Sequence, residues 1–300
     1  MNLKKIEAFL LIVEKNSFSI AAESLGLTQP AVSNQVKSLE HDLGVKLIER
    51  GSSSIQLTPA GNFVYQQGKQ LLEMANDMQE GVKSFQGVLT GSLRIGASTI
   101  PGTYLLPKWI GQFYHLFPKV EVINEIADSK QNLEWLMDRH IHIAVTGDKS
   151  DSPEMISELV ATDSLVLIAP KGHPLTLSPL NQNQGSLVQY PFVLREIGSG
   201  TRKSMEAGLN LLGIQVKDLQ VVAQLGSTEA IIAAVEAGLG ISFVSSFAAR
   251  PAMEAGRVQQ IPIEPTFQQR YYLSYLKGKQ ENPLIGRFIE LVGRECVEKK

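Results

Sequence analysis

Residues Phe18–Glu40 read FSIAAESLGLTQPAVSNQVKSLE. The spacing predicts two short helices joined by a tight turn. Ser19 is suited to cap the first, since its hydroxyl can accept an orphan backbone N–H. Ala21 and Ala22 are small enough to let a second helix cross closely. Gly26 can adopt the left-handed conformation that ends a helix, with Leu27 turning into the core. Thr28 is the next N-cap, and Pro30 falls in the first turn, where a missing N–H is harmless. Val32, Val36 and Leu39 then form one apolar face at i, i+4, i+7. Gln29, Ser33 and Lys37, with Asn34 beside them, form the opposite face. Thr28 and Pro30 at its start join that set. This is a helix-turn-helix whose second helix offers amide, hydroxyl and ammonium groups. Those types hydrogen-bond base edges and phosphates in a major groove.

The flanking sequence extends the pattern. Leu3, Ile6, Phe9, Leu10 and Val13 form the apolar stripe of an earlier helix. Lys46–Arg50 and Ile55–Leu57 are short strand candidates around Gly51-Ser52-Ser53-Ser54, a hairpin placed like a wing, with Arg50 on the sugar–phosphate backbone. A small protein-binding helical domain is the alternative for residues 1–58. Thr58-Pro59 is an N-cap followed by proline at N1, and the helix it opens runs to about Phe85. Val64, Gly68, Leu71, Ala75, Met78, Val82 and Phe85 alternate spacings of four and three along it, a heptad seam expected to pair two copies. Paired heads would meet a two-fold symmetric stretch of double-stranded DNA.

Gly87 and Gly91 mark a change of texture. Strands at Leu93–Ala97, Val120–Ile126, Ile141–Val145, Leu165–Ala169, Phe192–Leu194, Val221–Leu225, Ile241–Val244 and Tyr271–Tyr275 alternate with helices. The helices lie near Leu105–Phe117, Asn132–Asp138, after Ser199-Gly200, at Thr228–Ala237 and from Pro283. That alternation argues for an α/β fold with parallel sheets and helices on both faces. Ligands then collect at the carboxyl ends of strands. Ser98, Thr99, Thr146, Arg195, Glu196, Ser199, Thr201, Ser227 and Thr228 occupy such ends. Hydroxyls and free backbone N–H groups together bind a small anion, and Arg195 and Arg202 can add bidentate charge. The competing reading makes each serine or threonine merely an N-cap.

Totals set the limits. The chain has 300 residues, 43% apolar and 19% charged, with a formal net charge of −2. That is ordinary globular composition for about two domains. Residues 1–58 carry six basic and six acidic side chains, so DNA binding rests on the placement of groups and not on a basic patch. One cysteine, Cys296, permits no internal disulfide. The N-terminus begins with amphipathic helix and lacks a signal-peptide apolar region. No apolar run approaches the ~18 residues of a membrane helix. The expectation is a soluble cytoplasmic protein that takes no cofactor and does not engage a membrane. His140 and His142 would share one face of a strand, but no third ligand is near to complete a metal site. No Gly-x-Ser-x-Gly elbow, P-loop or His-Glu-x-x-His occurs. An enzyme is the rival class, yet no residue stands out as its nucleophile or base.

The N-terminal stretch resembles the LysR-type transcriptional regulators. The pattern is carried by Phe9, Ser17-Phe18, Ala21-Ala22, Leu25, Thr28-Gln29-Pro30-Ala31-Val32-Ser33, Leu39-Glu40, Leu47, Arg50 and Leu57-Thr58-Pro59-Ala60-Gly61. Leu93-Arg94-Ile95-Gly96 and Val235-Glu236-Ala237-Gly238-Leu239-Gly240-Ile241 extend the likeness over the whole chain. The resemblance implies a winged helix-turn-helix at 1–58 and a linker helix at 59–89. It also implies a two-lobed type 2 periplasmic-binding-protein-like effector domain at 90–300, with lobe 1 at about 90–161 and 267–300 and lobe 2 at about 162–266. Assembly as a dimer of dimers is implied as well; the small anionic effector is the expectation from the strand-end residues. Arg195-Glu196-Ile197-Gly198-Ser199-Gly200-Thr201-Arg202 is similar to a segment of regulators of carbon fixation and of cysteine or sulfur metabolism, where it lines the inducer cleft. That supports Arg195, Thr201 and Arg202 as ligand groups, faced by Ser98 and Thr99. Three positions depart from the family: Asn34 stands where arginine is common, the wing turn is uncharged, and His142 replaces an aspartate.

Overall fold

The computed structural model of the chain describes residues 2–49, 55–84, 89–177 and 184–297. It divides into two units, Met1–Val88 and Leu89–Lys300.

The first unit holds helices α1 (Leu3–Lys15), α2 (Phe18–Ser24), α3 (Gln29–Leu43) and α4 (Pro59–Ser84). Asn16 ends α1 in the left-handed conformation at φ 47°. The next residue, Ser17, is extended, and it caps α2 by accepting from the Ile20 N–H. Ser19 is therefore not the cap. It lies inside the helix and donates its hydroxyl to Gln29 Oε1 at 3.2 Å. At the other end Gly26 has φ +63°. The Gly26 and Leu27 N–H groups reach back to the Glu23 and Ala22 carbonyls, the paired bonds of a Schellman ending. Leu27 does not turn into the core but stays exposed, as does Leu3.

Ile6, Phe9, Ile12, Ala21, Ala22, Val32, Val36, Leu39 and Leu47 are buried together. Thr28 caps α3 by accepting from the Ala31 N–H. Among the described residues the wing shows one antiparallel bridge, Ile48 with Leu57, and a bond from the Glu49 N–H to the Gln56 carbonyl at 2.8 Å. Arg50 and Gly51–Ser54 lie outside the described residues, as do Phe85 and Gly87.

The seam on α4 divides in two. Gly68 sits against α1, where an added Cβ would come within 2.9 Å of Ile6. Val64, Tyr65 and Leu72 pack on the same core. The early seam positions Val64 and Gly68 thus serve the head itself. Phe63, Leu71, Met74, Met78 and Val82 are exposed, so the open apolar stripe includes Phe63 and Met74, which the heptad count omits.

The second unit contains β1 (Gly91–Ala97), α5 (Leu106–Leu116), β2 (Val120–Ile126), α6 (Ser129–Met137), β3 (Ile143–Thr146), β4 (Met155–Pro170) and α7 (Pro174–Leu177). Then come β5 (Pro191–Arg195), α8 (Gly200–Leu211), β6 (Gln220–Leu225), α9 (Thr228–Glu236) and β7 (Ser242–Ser245). The last elements are α10 (Ser246–Glu254), β8 (Val258–Ile261), β9 (Phe267–Leu276) and α11 (Pro283–Val297). A π-type turn at Pro101–Leu105 precedes α5.

β1 lies between β2 and β3, parallel to both. β9 runs antiparallel to β3 and to Met155–Leu165 of β4. The last part of β4 pairs antiparallel with β7 and β8. β5 and β6 are parallel, and β5 joins the second group through a bridge from Phe192 to Ile241. Two half-sheets result, with β4 and β9 shared between them. Leu93, Ile95, Trp109, Phe113, Ile143, Tyr271 and Phe288 belong to the larger core. Phe113 meets Phe288 edge-on with centroids 5.2 Å apart, a geometry that adds about 0.5–1.5 kcal/mol beyond the buried area. The other faces are covered by α8, through Met205 and Leu209, and by α6, through Leu136. Parallel strands are present as expected, but the two shared strands are antiparallel. His140 and His142 precede β3 instead of lying on it.

Candidate functional site

Two surfaces bring the sequence-selected groups together. The first is the outer face of α3. Thr28, Gln29, Pro30, Asn34 and Lys37 are exposed there and Ser33 is half-buried. The face is anchored from behind by Glu40. Its carboxylate accepts from Lys46 Nζ at 2.7 Å, from the Leu47 N–H at 2.9 Å and from the Ile48 N–H at 3.5 Å. Burial pulls this carboxyl upward, but the Lys46 ammonium and the two N–H donors outweigh it and hold it below the ordinary carboxylate range. One side chain thereby ties α3 to the base of the wing.

The second is a cleft of about 210 Å³ in the second unit. It lies where β1, β2, β3 and β5 end, at the point where β1 connects outward to β2 and β3. Open α/β sheets bind ligands at such switch points. The N-termini of α6 and α8 meet there. Asp128 caps α6 by accepting from the Gln131 N–H at 2.8 Å, and Ser199 caps α8. Helix N-termini favour negative charge.

Arg195 is buried, and its donors are engaged. Nε and Nη2 each reach the Glu196 carboxylate at 2.7 Å, and Nη1 reaches Thr228 Oγ1 at 2.7 Å. Burial again raises the Glu196 carboxyl, and Arg195 more than reverses this. Two polar contacts join elements of the two half-sheets outside the cleft lining. Tyr104 donates to Glu229 at 2.9 Å, and Lys203 faces Asp148 at 3.7 Å. Burial and then the Glu229 carboxylate push the Tyr104 hydroxyl up to about 12.

Ser98, Thr99, Arg195 and Thr201 line this cleft; Thr146, Arg202 and Thr228 do not. Thr146 is fully buried and donates to the Asp148 carbonyl. Thr228 holds Arg195 from behind. Arg202 pairs with Glu206 at 2.8 Å and donates to the Arg195 carbonyl at 2.9 Å, so it braces the loop. Sequence reading missed Asp128, Ser129, Gln269 and Tyr271, all of which line the cleft. The alternation of Phe267, Gln269 and Tyr271 on β9 was the available signal, since all three are buried between exposed neighbours. Below the cleft floor, Asp163 accepts from Ser245 and Ser246, and burial followed by the Asp163 charge raises the Tyr271 hydroxyl. His140 Nε2 lies 3.1 Å from Glu125, while His142 Nδ1 accepts from the Arg94 N–H at 3.1 Å; the two rings serve different partners. No described helix is long and apolar enough to cross a membrane.

Comparison with known proteins agrees with this division. Residues 3–62 match the family model of the bacterial regulatory helix-turn-helix protein, lysR family, and residues 86–297 match the LysR substrate binding domain. A RuBisCO operon transcriptional regulator of Allochromatium vinosum is 32% identical over 298 residues, covering 99% of this chain and 97% of its own. Among solved structures, CbnR complexed with its target DNA superposes with a TM-score of 0.67 at 22% identity, covering 98% of this chain and 99% of that one. The CcmR regulatory domain of a Synechocystis strain, in complex with 2-PG, gives 0.62 at 24% identity, covering 69% of this chain and 98% of that one.

Proposed function

The chain belongs to the LysR family of bacterial transcription regulators, and on that premise we propose that a small anion in the cleft controls how paired heads engage DNA. The observation that carries the reading is the convergence of hydroxyls and two helix N-termini on one small cleft at the strand ends. Ser98, Thr99, Ser129 and Thr201 are donors without charge, and the N-termini of α6 and α8 add partial positive charge. Arg195 stays with Glu196 and Thr228, and shapes the wall. One chain of this fold is known with target DNA and another with 2-PG, the same pair of partner classes assigned here.

On the head, Gln29, Ser33, Asn34 and Lys37 read base edges in the major groove, while Thr28 and Pro30 set the start of the helix against the backbone. Arg50 belongs to the same proposal, though it lies outside the described residues. The exposed stripe of α4 pairs two chains, and two pairs form a dimer of dimers in the cytoplasm. The effector changes the closure of the half-sheets about β4 and β9, with the Tyr104–Glu229 contact as the closed-state bridge. Closure shifts the spacing of heads on adjacent half-sites.

The test is a thermal-shift panel of small carboxylates, phosphate esters and inorganic anions on the full chain, followed by footprinting of the operator with and without the best binder. Thr201→Val is expected to abolish both the shift and the change in footprint. An effector-dependent footprint that persists in Thr201→Val defeats the cleft assignment.

A further inference from the structure

Gln269 is 7% exposed and lines the cleft. Its Oε1 is fully buried without a hydrogen-bond partner. Among the described residues, no partner is found for its Nε2 either. Gln35 on α3 leaves its oxygen unmet as well, and Gln112, Asn124 and Asn132 do so while using their nitrogens; of these amides Gln269 is the one that lines the cleft. The position of Gln269 is also unusual. A methyl group built on Gly147 or on Gly200 would meet its nitrogen at 3.5 or 3.6 Å. The amide therefore lies between the end of β3 and the start of α8, one from each half-sheet. It is carried on β9, a strand that both half-sheets share.

A buried amide oxygen without a partner is costly, and native structures leave few such groups without a reason; the nitrogen is the end beside the cleft residues Gly147 and Gly200. We propose that Gln269 is the specificity-determining residue of the cleft, and that it reads a hydroxyl on the effector. This rests on the reading of the cleft as an anion site. The effector is then a small oxyanion that also carries a hydroxyl, such as a hydroxy acid of two or three carbons or a hydroxylated phosphate monoester. The class follows from the chemistry of the amide. The oxyanion end meets hydroxyls and helix N-termini. The remaining group must accept from Nε2, or give a proton to Oε1 once the amide turns over, and a hydroxyl does either. A bare alkyl group would leave both ends unmet. The volume of about 210 Å³ is below the usual 300–1,000 Å³ of ligand pockets, which keeps the carbon skeleton short.

The experiment uses matched pairs on the full chain: glycolate with acetate, D-glycerate with propionate, and glycerol 3-phosphate with propyl phosphate. Affinities are measured by calorimetry and thermal shift. In at least one pair the hydroxylated member is expected to bind wild type about tenfold tighter or more, because a site built to bond a hydroxyl rejects the analogue that lacks one. Gln269→Met keeps the length of the side chain and removes both polar ends, and should reduce that preference to about twofold or less. Gln269→Glu, a second variant of the same shape, places a negative charge beside the oxyanion and should lose both members of each pair. The melting midpoint without ligand reports folding for each. Equal binding of hydroxylated and bare members by wild type overturns the proposal while leaving the anion site intact. A preference that survives in Gln269→Met, or in Gln269→Glu where the Met variant does not fold, overturns it too. If no anion binds wild type, the anion site itself falls, and this proposal with it.

Discussion

Replacing Glu40 with alanine is expected to destabilise the head by about 2–3 kcal/mol, most of it from one backbone group. The Leu47 N–H is buried and bonded to Glu40 at 2.9 Å. Removing the carboxylate leaves that donor without an acceptor, which costs about 1–3 kcal/mol. The ion pair with Lys46 contributes less, because the lysine side chain is 57% exposed, and exposed pairs are worth about 0–1 kcal/mol. The Ile48 bond at 3.5 Å adds little. In a unit of this size each kcal/mol lowers the melting midpoint by about 4–8 °C, so a fall on the order of 10–20 °C is expected. The assay is loss of operator anisotropy on heating the full chain without effector, compared between variants that share the same α4 and second unit. Lys46→Ala should shift the midpoint by only a few degrees. Equal shifts for the two variants would refute the reasoning, since the ion pair and not the backbone bond would then carry the effect. The pH dependence has a definite sign. The folded-state value of Glu40 lies below the ordinary 4.5. Its contribution is complete above that pH and is lost as pH falls through the folded-state value.

Gln29→Ala should weaken operator binding by about tenfold or more, as expected for one base-reading amide, and leave the effector-induced thermal shift in place; unchanged affinity for the operator removes Gln29 from the groove. Thr228→Val strands Arg195 Nη1, now bonded at 2.7 Å. A cost of about 1.5–3 kcal/mol should appear as a melting shift that Thr228→Ser restores, and a silent Thr228→Val would mean that the guanidinium finds another acceptor. Met78→Glu changes an exposed position on α4 and is worth under about 0.5 kcal/mol to an isolated chain, yet it should dissociate pairs in sedimentation velocity. An unchanged sedimentation coefficient at low concentration would place the pairing surface elsewhere.

The helix-turn-helix was legible because its signals are local. Thr28, Pro30, Gly26 and the Val32–Val36–Leu39 face each report on a few neighbouring residues. The error at Ser19 came from two serines flanking Phe18. Only the backbone geometry after Asn16 distinguishes them, by leaving Ser17 extended. The first half of β4 was invisible for a different reason. From Ile156 to Val160 the strand is never fully buried on either face, so it has no period-two pattern. Its partner β9 does have one, and starting that strand at Tyr271 instead of Phe267 hid Gln269. Arg202 illustrates a third limit. An arginine beside a presumed cleft invites a ligand role, but Glu206 one turn along the helix was already the nearer partner.

The close approach of α4 to α1 at Gly68 bears on how such regulators can be recombined. Ile6 and Leu10 lie against the helix backbone where no side chain stands. A head severed at Thr58 would open that contact to water and expose part of its own core. Inheritance of a new DNA specificity would therefore require the exchanged gene segment to include the helix through Gly68 at least. A crossover upstream of that glycine would pair a foreign head with a helix shaped for another.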